Sequence, residues 1–437
     1  MVWFEKLKLN KQLVRSVNEA GFTNPTELQL KTINRIIGGQ DIIAIGHEGS
    51  GKTTAYVLGV LNRFNYAPEG VPKVLILVPE KDQVFGVIEQ FDRLNKNKSI
   101  RIVGLYVAPG TEAQMDALAD GADIVVATPD RARAIYLKLA LNLNKVDLLV
   151  IDDADQMVKN GLQLPVVELA NSIGKGQHLV FTQVLHSKLE KMIAPFMNQP
   201  AIIEVEELAE ARVQTHPQLL YNLPNFGTKL NLLNLFLYDE EVFTKTVVFV
   251  NTQNTADKVY QSLHSRLRDA VAYLNPKFFD TNGFNHIEDF KEAENARVLI
   301  VVNENTERIN LNSVPFIIHF DIPEDKEVFI DRITNHQPNS DDETLAITFA
   351  TDIELSQVKK IEQTTGQKIS PAALPEELVI EKDTKVKKEE KEKKAAAKPN
   401  PDEPTTGAAF HEKKAANAKT YNYSSGQKAK MNNKRKH

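Results

Sequence analysis

Apolar and polar positions along the chain alternate between two regimes. Short runs of continuous apolar, largely β-branched residues recur at 41–45, 73–79, 100–107, 122–128, 146–152, 177–182 and 201–205. Between them lie stretches with apolar residues at helical spacing, such as residues 84–94. Strands apolar on both sides are strands buried on both faces, and intervening helices supply the crossovers that parallel pairing needs. The prediction is an α/β domain with a covered parallel sheet over residues 1–205. A polar stretch at 206–216 interrupts the pattern and reads as a linker. Strand-like runs then resume at 246–252, 269–274, 296–302, 314–323 and 344–351, which predicts a second α/β domain over 217–375.

The pattern stops there. Residues 376–437 contain few large apolar side chains, too few to offset the entropy of ordering the chain, and are expected to form a disordered basic tail. Charge follows the same division. The chain carries 53 Lys+Arg and 58 Asp+Glu, a net charge of −5. From Glu381 onward there are 16 basic and 8 acidic residues, net +8, leaving 37 against 50, net −13, in the first 380. The 437 residues exceed the size at which single cores stop growing, about 250–300 residues, in keeping with more than one domain. There is no cysteine, so a disulfide framework, thiolate metal ligation and a thiol nucleophile are excluded. No apolar run approaches the roughly 20 residues of a membrane helix, and the first residues lack the apolar core of a secretion signal. A cytoplasmic protein with no membrane partner is expected.

One motif carries chemistry by itself. Gly46-His47-Glu48-Gly49-Ser50-Gly51-Lys52-Thr53 has the spacing of a phosphate-binding loop and sits between the strand-like run 41–45 and a helical run beginning near Thr54. Glycines let successive backbone N–H groups turn toward phosphate oxygens, and the helix N-terminus adds positive potential. Lys52 is expected to neutralise terminal phosphates and the Thr53 hydroxyl to join a Mg²⁺ shell. Such a loop needs an acidic metal partner on a nearby strand. Asp152, followed by Asp153 and Asp155, supplies one. The alternative for these carboxylates is capping of the helix that follows, and the two roles are compatible.

With these residues in place the chain resembles the DEAD-box RNA helicases. Gly21-Phe22-Thr23-Asn24-Pro25-Thr26-Glu27-Leu28-Gln29, with Phe4 upstream, resembles the family's adenine-reading motif; Asp152-Asp153-Ala154-Asp155 resembles its Asp-Glu-Ala-Asp box; Ala127-Thr128-Pro129-Asp130-Arg131 resembles its Thr-Pro-Gly-Arg motif. The resemblance implies two RecA-like P-loop domains, ATP with Mg²⁺ as cofactor, and single-stranded RNA as partner. It implies a nucleotide site made of Phe4, Gln29, Gly46, Gly49, Ser50, Gly51, Lys52, Thr53 and Thr54, catalysis by Lys52, Asp152 and Asp153, and metal ligation by Thr53 and Asp152. Pro79, Lys81, Thr128, Pro129 and Arg131 are implied as RNA contacts, with Asn251 and Thr252 as candidates in the second domain. Arg131 has an alternative as a solvated helix charge.

The departures are as specific as the matches. The glutamate of the box is the shorter Asp153. The family's Ser-Ala-Thr is Thr182-Gln183-Val184, and its Pro-Thr-Arg-Glu-Leu is Pro79-Glu80-Lys81-Asp82-Gln83. In the second domain Arg332 survives, but Asn335 and Pro338 stand where the family has later arginines. An arginine reaching the transferred phosphoryl group contributes about 10³–10⁵-fold in rate. The expectation is ATP and RNA binding with weak hydrolysis unless Arg308, Arg332, His336 or a partner protein supplies the cation. Two other functions remain open: a non-hydrolysing, ATP-gated RNA clamp, and a scaffold. The segment 419–437, with six Lys/Arg and two tyrosines, is a candidate RNA contact by counterion release and stacking, or simply a solubilising tail.

Overall fold

A computed structural model describes residues 7–64, 70–206, 212–276, 282–303, 309–334 and 344–382. The first sheet contains β1 (Ile42–Gly46), β2 (Val74–Leu77), β3 (Ile102–Leu105), β4 (Ile124–Ala127), β5 (Leu148–Ile151), β6 (Gln177–Thr182) and β7 (Ala201–Val205). They lie in the order β3-β4-β2-β5-β6-β1-β7, all parallel. The register pairs Ile43 with Val180 on one side and Ile202 on the other. Side chains alternate between faces, so Ile42, Ala44, Val74 and Ile76 join one core while Ile43, Ile45, Leu75 and Leu77 join the other. Each fully buried Val, Leu or Ile is worth about 1.5–3 kcal/mol relative to exposure, which is why both sides of the central strands are covered.

Helix α1 (Lys11–Glu19), α2 (Glu27–Ile37), α3 (Lys52–Arg63) and α4 (Lys81–Leu94) cover the first face. Helices α2 and α3 approach closely because Gly59 faces Ile36: a Cβ there would lie 2.4 Å from Ile36 Cγ2. The opposite face is covered by α5 (Glu112–Ala119), α6 (Pro129–Leu137), α7 (Ala154–Lys159), α8 (Gln163–Ser172) and α9 (Ser187–Ile193).

The second sheet comprises β8 (Gln218–Asn222), β9 (Thr246–Val250), β10 (Val271–Leu274), β11 (Gly283–Phe284), β12 (Val298–Val302), β13 (Phe316–His319), β14 (Leu345–Ala350) and β15 (Ser370–Pro371). Its order is β11-β10-β12-β9-β13-β14-β8-β15, again parallel throughout. The helices are α10 (Phe226–Tyr238), α11 (Gln253–Leu267), α12 (Ile287–Glu292), α13 (Lys326–Ile333) and α14 (Leu355–Thr365). The expected pair of parallel α/β domains is therefore the observed architecture.

Three expectations need correction. Residues 201–205 are an edge strand rather than a doubly buried one: Ile202 is exposed, while Ala201, Ile203 and Val205 pack against the first core. The C-terminal part of the expected linker is hydrogen-bonded into the second domain, with the Val213 N–H donating to the Thr365 carbonyl and Thr215 bridging Thr334. Packing also continues beyond 375, where the tail was expected to begin. Leu378 is buried in the second core and the Asn231 side chain donates to the Val379 carbonyl at 2.8 Å. The rest of the expected tail, 383–437, lies outside the described residues. Among those described, no helix is long and apolar enough to cross a membrane.

Both domains fall within one compact unit, Met1–Ile380. Across the two sheets, Lys359, Lys360 and Lys368 pair with Glu204 at 3.0 Å, Glu48 at 3.0 Å and Glu206 at 2.6 Å, and Ser187 Oγ donates to Asp352 at 2.7 Å.

Candidate active site

In a parallel sheet all strands end on the same edge, so loops from distant parts of the sequence meet there. Strand β1 is buried along its whole length and delivers Gly46 to that edge. The chain then turns through residues 47–51 into α3. Gly51 caps α3 with a φ of 85°, and Gly49 has the same φ, a left-handed conformation that costs other residues steric energy. Ser50 Oγ donates to the His47 carbonyl at 2.7 Å. The Lys52 ammonium, 8% exposed, donates to the Gly46 and His47 carbonyls at 3.1 and 3.0 Å and lies 3.9 Å from Asp153 Oδ1.

Helix α2 braces this loop from behind. Thr26 and Gln29 form a capping box at its N-terminus. The same two side chains reach the loop: Thr26 Oγ1 donates to the Ser50 carbonyl at 2.7 Å and Gln29 Nε2 to the Gly51 carbonyl at 3.3 Å. The Gln29 carboxamide oxygen accepts from the Thr26 N–H at 3.1 Å, so this buried residue, expected to read adenine, also holds the loop in shape. Thr54 accepts from Gln90 Nε2 at 3.0 Å, tying α3 to α4. Phe4 lies outside the described residues.

The carboxylates arrive on the end of β5. Asp152 is buried and accepts three hydrogen bonds: at Oδ2 from Thr53 Oγ1 (3.3 Å) and the Tyr56 hydroxyl (2.9 Å), and at Oδ1 from the Asp153 N–H (3.0 Å). Burial raises its pKa while Lys52 and these donors oppose the shift. Tyr56 is itself fully buried, and burial followed by the Asp152 charge holds its hydroxyl well above the usual tyrosine range, as a neutral donor.

Asp153 adopts left-handed backbone angles (φ 47°, ψ 50°), which Asp tolerates better than most residues. Its carboxyl accepts from Gln83 Nε2 at 2.8 Å. Burial and then Asp152 push its pKa up to about 7. Asp155 turns toward β6, accepting from Thr182 Oγ1 at 2.8 Å and the Gln183 N–H at 3.2 Å.

These loops enclose a cavity of about 510 Å³, lined among others by Lys52, Thr53, Gln83, Asp152, Asp153 and Lys360. Thr53 and Asp152 supply oxygen donors close together, a set that fits a hard divalent cation keeping part of its water shell. Sequence reasoning missed Tyr56 and Lys360 and assigned no role to Gln83 or Thr182. Only Tyr56 left a trace, one helical turn beyond Lys52.

The expected RNA contacts follow two neighbouring strands, β2 and β4, and Pro79 among them lines this cavity. Pro79 and Lys81 follow β2, while Thr128, Pro129 and Arg131 follow β4. The Lys81 ammonium lies 5.2 Å from the Tyr106 ring centre and 5.7 Å from that of Phe85. Thr128 N-caps α6, with Pro129 in its first turn, and its buried hydroxyl has no hydrogen-bond partner among the described residues. Arg131 is half-buried, with its guanidinium engaged by neighbouring groups. It donates to Gln114 Oε1 at 2.9 Å, to the Ala108 carbonyl at 3.3 Å and to the Gly110 carbonyl.

In the second domain Asn251 donates to the Ile322 carbonyl at 2.8 Å and Thr252 caps α11. Arg332 is packed with its guanidinium 3.7 Å from the centre of the Phe249 ring, and burial lowers its pKa to about 9. It does not line the cavity. Arg308, Asn335, His336 and Pro338 lie outside the described residues.

Comparison with known proteins shows the family. Residues 26–192 match the DEAD/DEAH box helicase family and residues 228–334 the helicase conserved C-terminal domain. The chain is 28% identical over 377 residues to the ATP-dependent RNA helicase DeaD of Buchnera aphidicola, a match covering 85% of this chain and 61% of that one. It is 25% identical over 378 residues to the ATP-dependent RNA helicase CshA of Listeria monocytogenes, covering 86% and 71%. The crystal structure of a DEAD box protein from Methanococcus jannaschii aligns at 20% identity with a TM-score of 0.47, over 85% of this chain and 99% of that one. The chain thus spans about three fifths, 61%, of the DeaD relative's length. With both family domains present in order, the chain belongs to the DEAD-box helicase family.

Proposed function

We propose that this protein binds ATP with Mg²⁺ in the cavity above β1 and β5, binds single-stranded RNA along the adjoining ends of β2 and β4, and acts as an RNA helicase of low turnover. The observation that carries the reading is the convergence of Lys52, Thr53 and Asp152 on one cavity. Lys52 and the N-terminus of α3 supply positive potential for the β- and γ-phosphates. Gln29 and Phe4 are the residues assigned to the adenine, and Thr53 with Asp152 to the metal. Mg²⁺ held by Thr53 and Asp152 would neutralise negative charge on the phosphates. Asp153 is the group that orients the attacking water and receives its proton. RNA is held through its backbone by Lys81, Thr128 and the segment positioned by Arg131. The basic residues 419–437 and an arginine donated by a partner protein belong to the same reading, as does a division into two domains between β7 and β8.

Low turnover is supported by the sequence at Asp153, Asn335 and Pro338. A non-hydrolysing ATP-gated clamp is the second reading, favoured by Gln83. Its amide already occupies one oxygen of Asp153, whose side chain is one methylene shorter than the family's glutamate. ATP turnover measured with and without single-stranded RNA separates the two. Slow, RNA-stimulated phosphate release that disappears in Lys52→Ala supports the helicase. Nucleotide-dependent RNA binding with no phosphate release selects the clamp, and absence of both sinks the proposal. Removing residues after Val379 and repeating RNA binding across salt concentrations tests the tail, which predicts a shallower salt slope.

A further inference from the structure

The cavity contains a feature that neither the phosphate loop nor the carboxylates account for. Lys360, on α14, is a cation from the second domain among lining residues that otherwise come from the first. Its ammonium lies 3.0 Å from Glu48 Oε2, and Glu48 is part of the phosphate loop, between His47 and Gly49. The Glu48 carboxylate interacts in turn with Lys52 and with Asp153. The Lys360–Glu48 pair thus lines the same cavity as Lys52, Asp152 and Asp153.

The pair is also easily exchanged. Its side chains are 41% and 79% exposed, and exposed ion pairs hold their partners weakly. A nucleoside triphosphate brings more negative charge than a single carboxylate, and phosphate oxygens accept stronger, charge-assisted hydrogen bonds from an ammonium. Its terminal phosphate is the group a diphosphate lacks.

We propose that Lys360 leaves Glu48 to bind the terminal phosphate, making the second domain a reader of triphosphate over diphosphate. Glu48 is the resting partner that keeps the ammonium beside the loop when that phosphate is missing. This inference rests on the nucleotide reading of the cavity and adds to it a specificity-determining residue outside the phosphate-loop domain.

The test is the ratio of affinities for Mg²⁺-bound fluorescent ATP and ADP analogues, measured on the full chain. Lys360→Ala is expected to weaken ATP binding about tenfold, the scale of one hydrogen bond to a charged group, with ADP binding unchanged. Lys360→Arg should retain most of the preference, and Glu48→Gln should strengthen it by releasing the ammonium. Lys326→Ala is the control, because Lys326 also attracts Glu48 but does not line the cavity. An unchanged ATP/ADP ratio in Lys360→Ala overturns the inference and leaves nucleotide binding standing. Restoration of the ratio in the swap Glu48→Lys/Lys360→Glu also overturns it, since an interdomain ion pair would then suffice. Failure of the unaltered protein to bind either nucleotide removes the nucleotide reading and this inference together.

Discussion

Two buried lysines, one in each domain, show what distinguishes a binding cation from a structural one. Lys52 is 8% exposed and Lys229 is 2% exposed, so each has given up most of its hydration. Lys229 regains it from two carboxylates, Glu354 at 2.8 Å and Asp321 at 3.8 Å, and from the Phe320 carbonyl at 2.8 Å. Lys52 has two carbonyls and one carboxylate at 3.9 Å. Its nearest partners are dipoles rather than charges, and it faces a cavity of about 510 Å³. The first lysine has carboxylates nearby but none in hydrogen-bond contact, and its donors face a volume where an anion fits. The second is saturated. Buried charge alone therefore does not mark a site; incompletely compensated charge beside open volume does.

Removing each lysine should break the comparison in opposite ways. Lys229→Ala leaves Glu354 and Asp321 facing each other across an apolar gap. Breaking a buried pair in this way costs about 3–5 kcal/mol, and since both carboxylates retain some exposure the lower end is expected. Chemical denaturation should show the loss, while any folded protein keeps its nucleotide affinity. Lys52→Ala should do the reverse. Nucleotide binding, followed by titration, should weaken by roughly ten- to a hundredfold, corresponding to about 1.5–3 kcal/mol for hydrogen bonds to charged groups, with little change in denaturation midpoint. A stable Lys229→Ala, or a Lys52→Ala that binds nucleotide normally, would erase the distinction.

A smaller effect sharpens the account of the first domain. Tyr56→Phe removes a hydroxyl and preserves the ring packed 5.3 Å from that of Phe181. Asp152 Oδ2 would retain only the longer Thr53 bond. A lost partner at a buried acceptor costs about 1–3 kcal/mol. Thermal unfolding without nucleotide should register it, and the Mg²⁺ concentration needed for half-maximal nucleotide binding should move because the carboxylate is less firmly oriented. Unchanged values in both measurements would mean that the tyrosine is only a core aromatic.

How far these features can be read from sequence follows from where their information lies. Strands β1, β2, β4, β5, β9 and β12 are covered on both sides, so their unbroken apolar runs show directly. Strand β8 is half-buried near the sheet edge and β11 and β15 have two residues each, and none carries such a run. The phosphate loop is legible because backbone geometry demands glycine at fixed spacing. Gln83–Asp153, Tyr56–Asp152 and Glu48–Lys360 join residues 70, 96 and 312 positions apart. No local pattern encodes such meetings; strand order creates them. Arg131 shows the converse: its motif draws attention to the residue, while the hydrogen bonds to Gln114, Ala108 and Gly110 that define its local role could come only from the fold.

The second domain also buries a titratable group without compensation, and this gives the smallest predicted effect. His319 ends β13 with its ring between Phe249 (centroids 5.5 Å apart) and Phe329 (4.2 Å), and neither nitrogen has a hydrogen-bond partner among the described residues. Burial, reinforced by the Arg332 charge, holds its pKa well below 6.5. The unfolded chain therefore takes up this proton first. The corresponding stability is complete above the unfolded pKa of about 6.5 and is lost as pH falls below it, with a slope of at most ~1.4 kcal/mol per pH unit for one proton. Between pH 6.5 and 5 the denaturation midpoint should fall, and His319→Phe, which keeps an aromatic ring and removes the proton site, should reduce that fall. An identical acid limb in the variant would assign the loss to groups other than this uncompensated histidine.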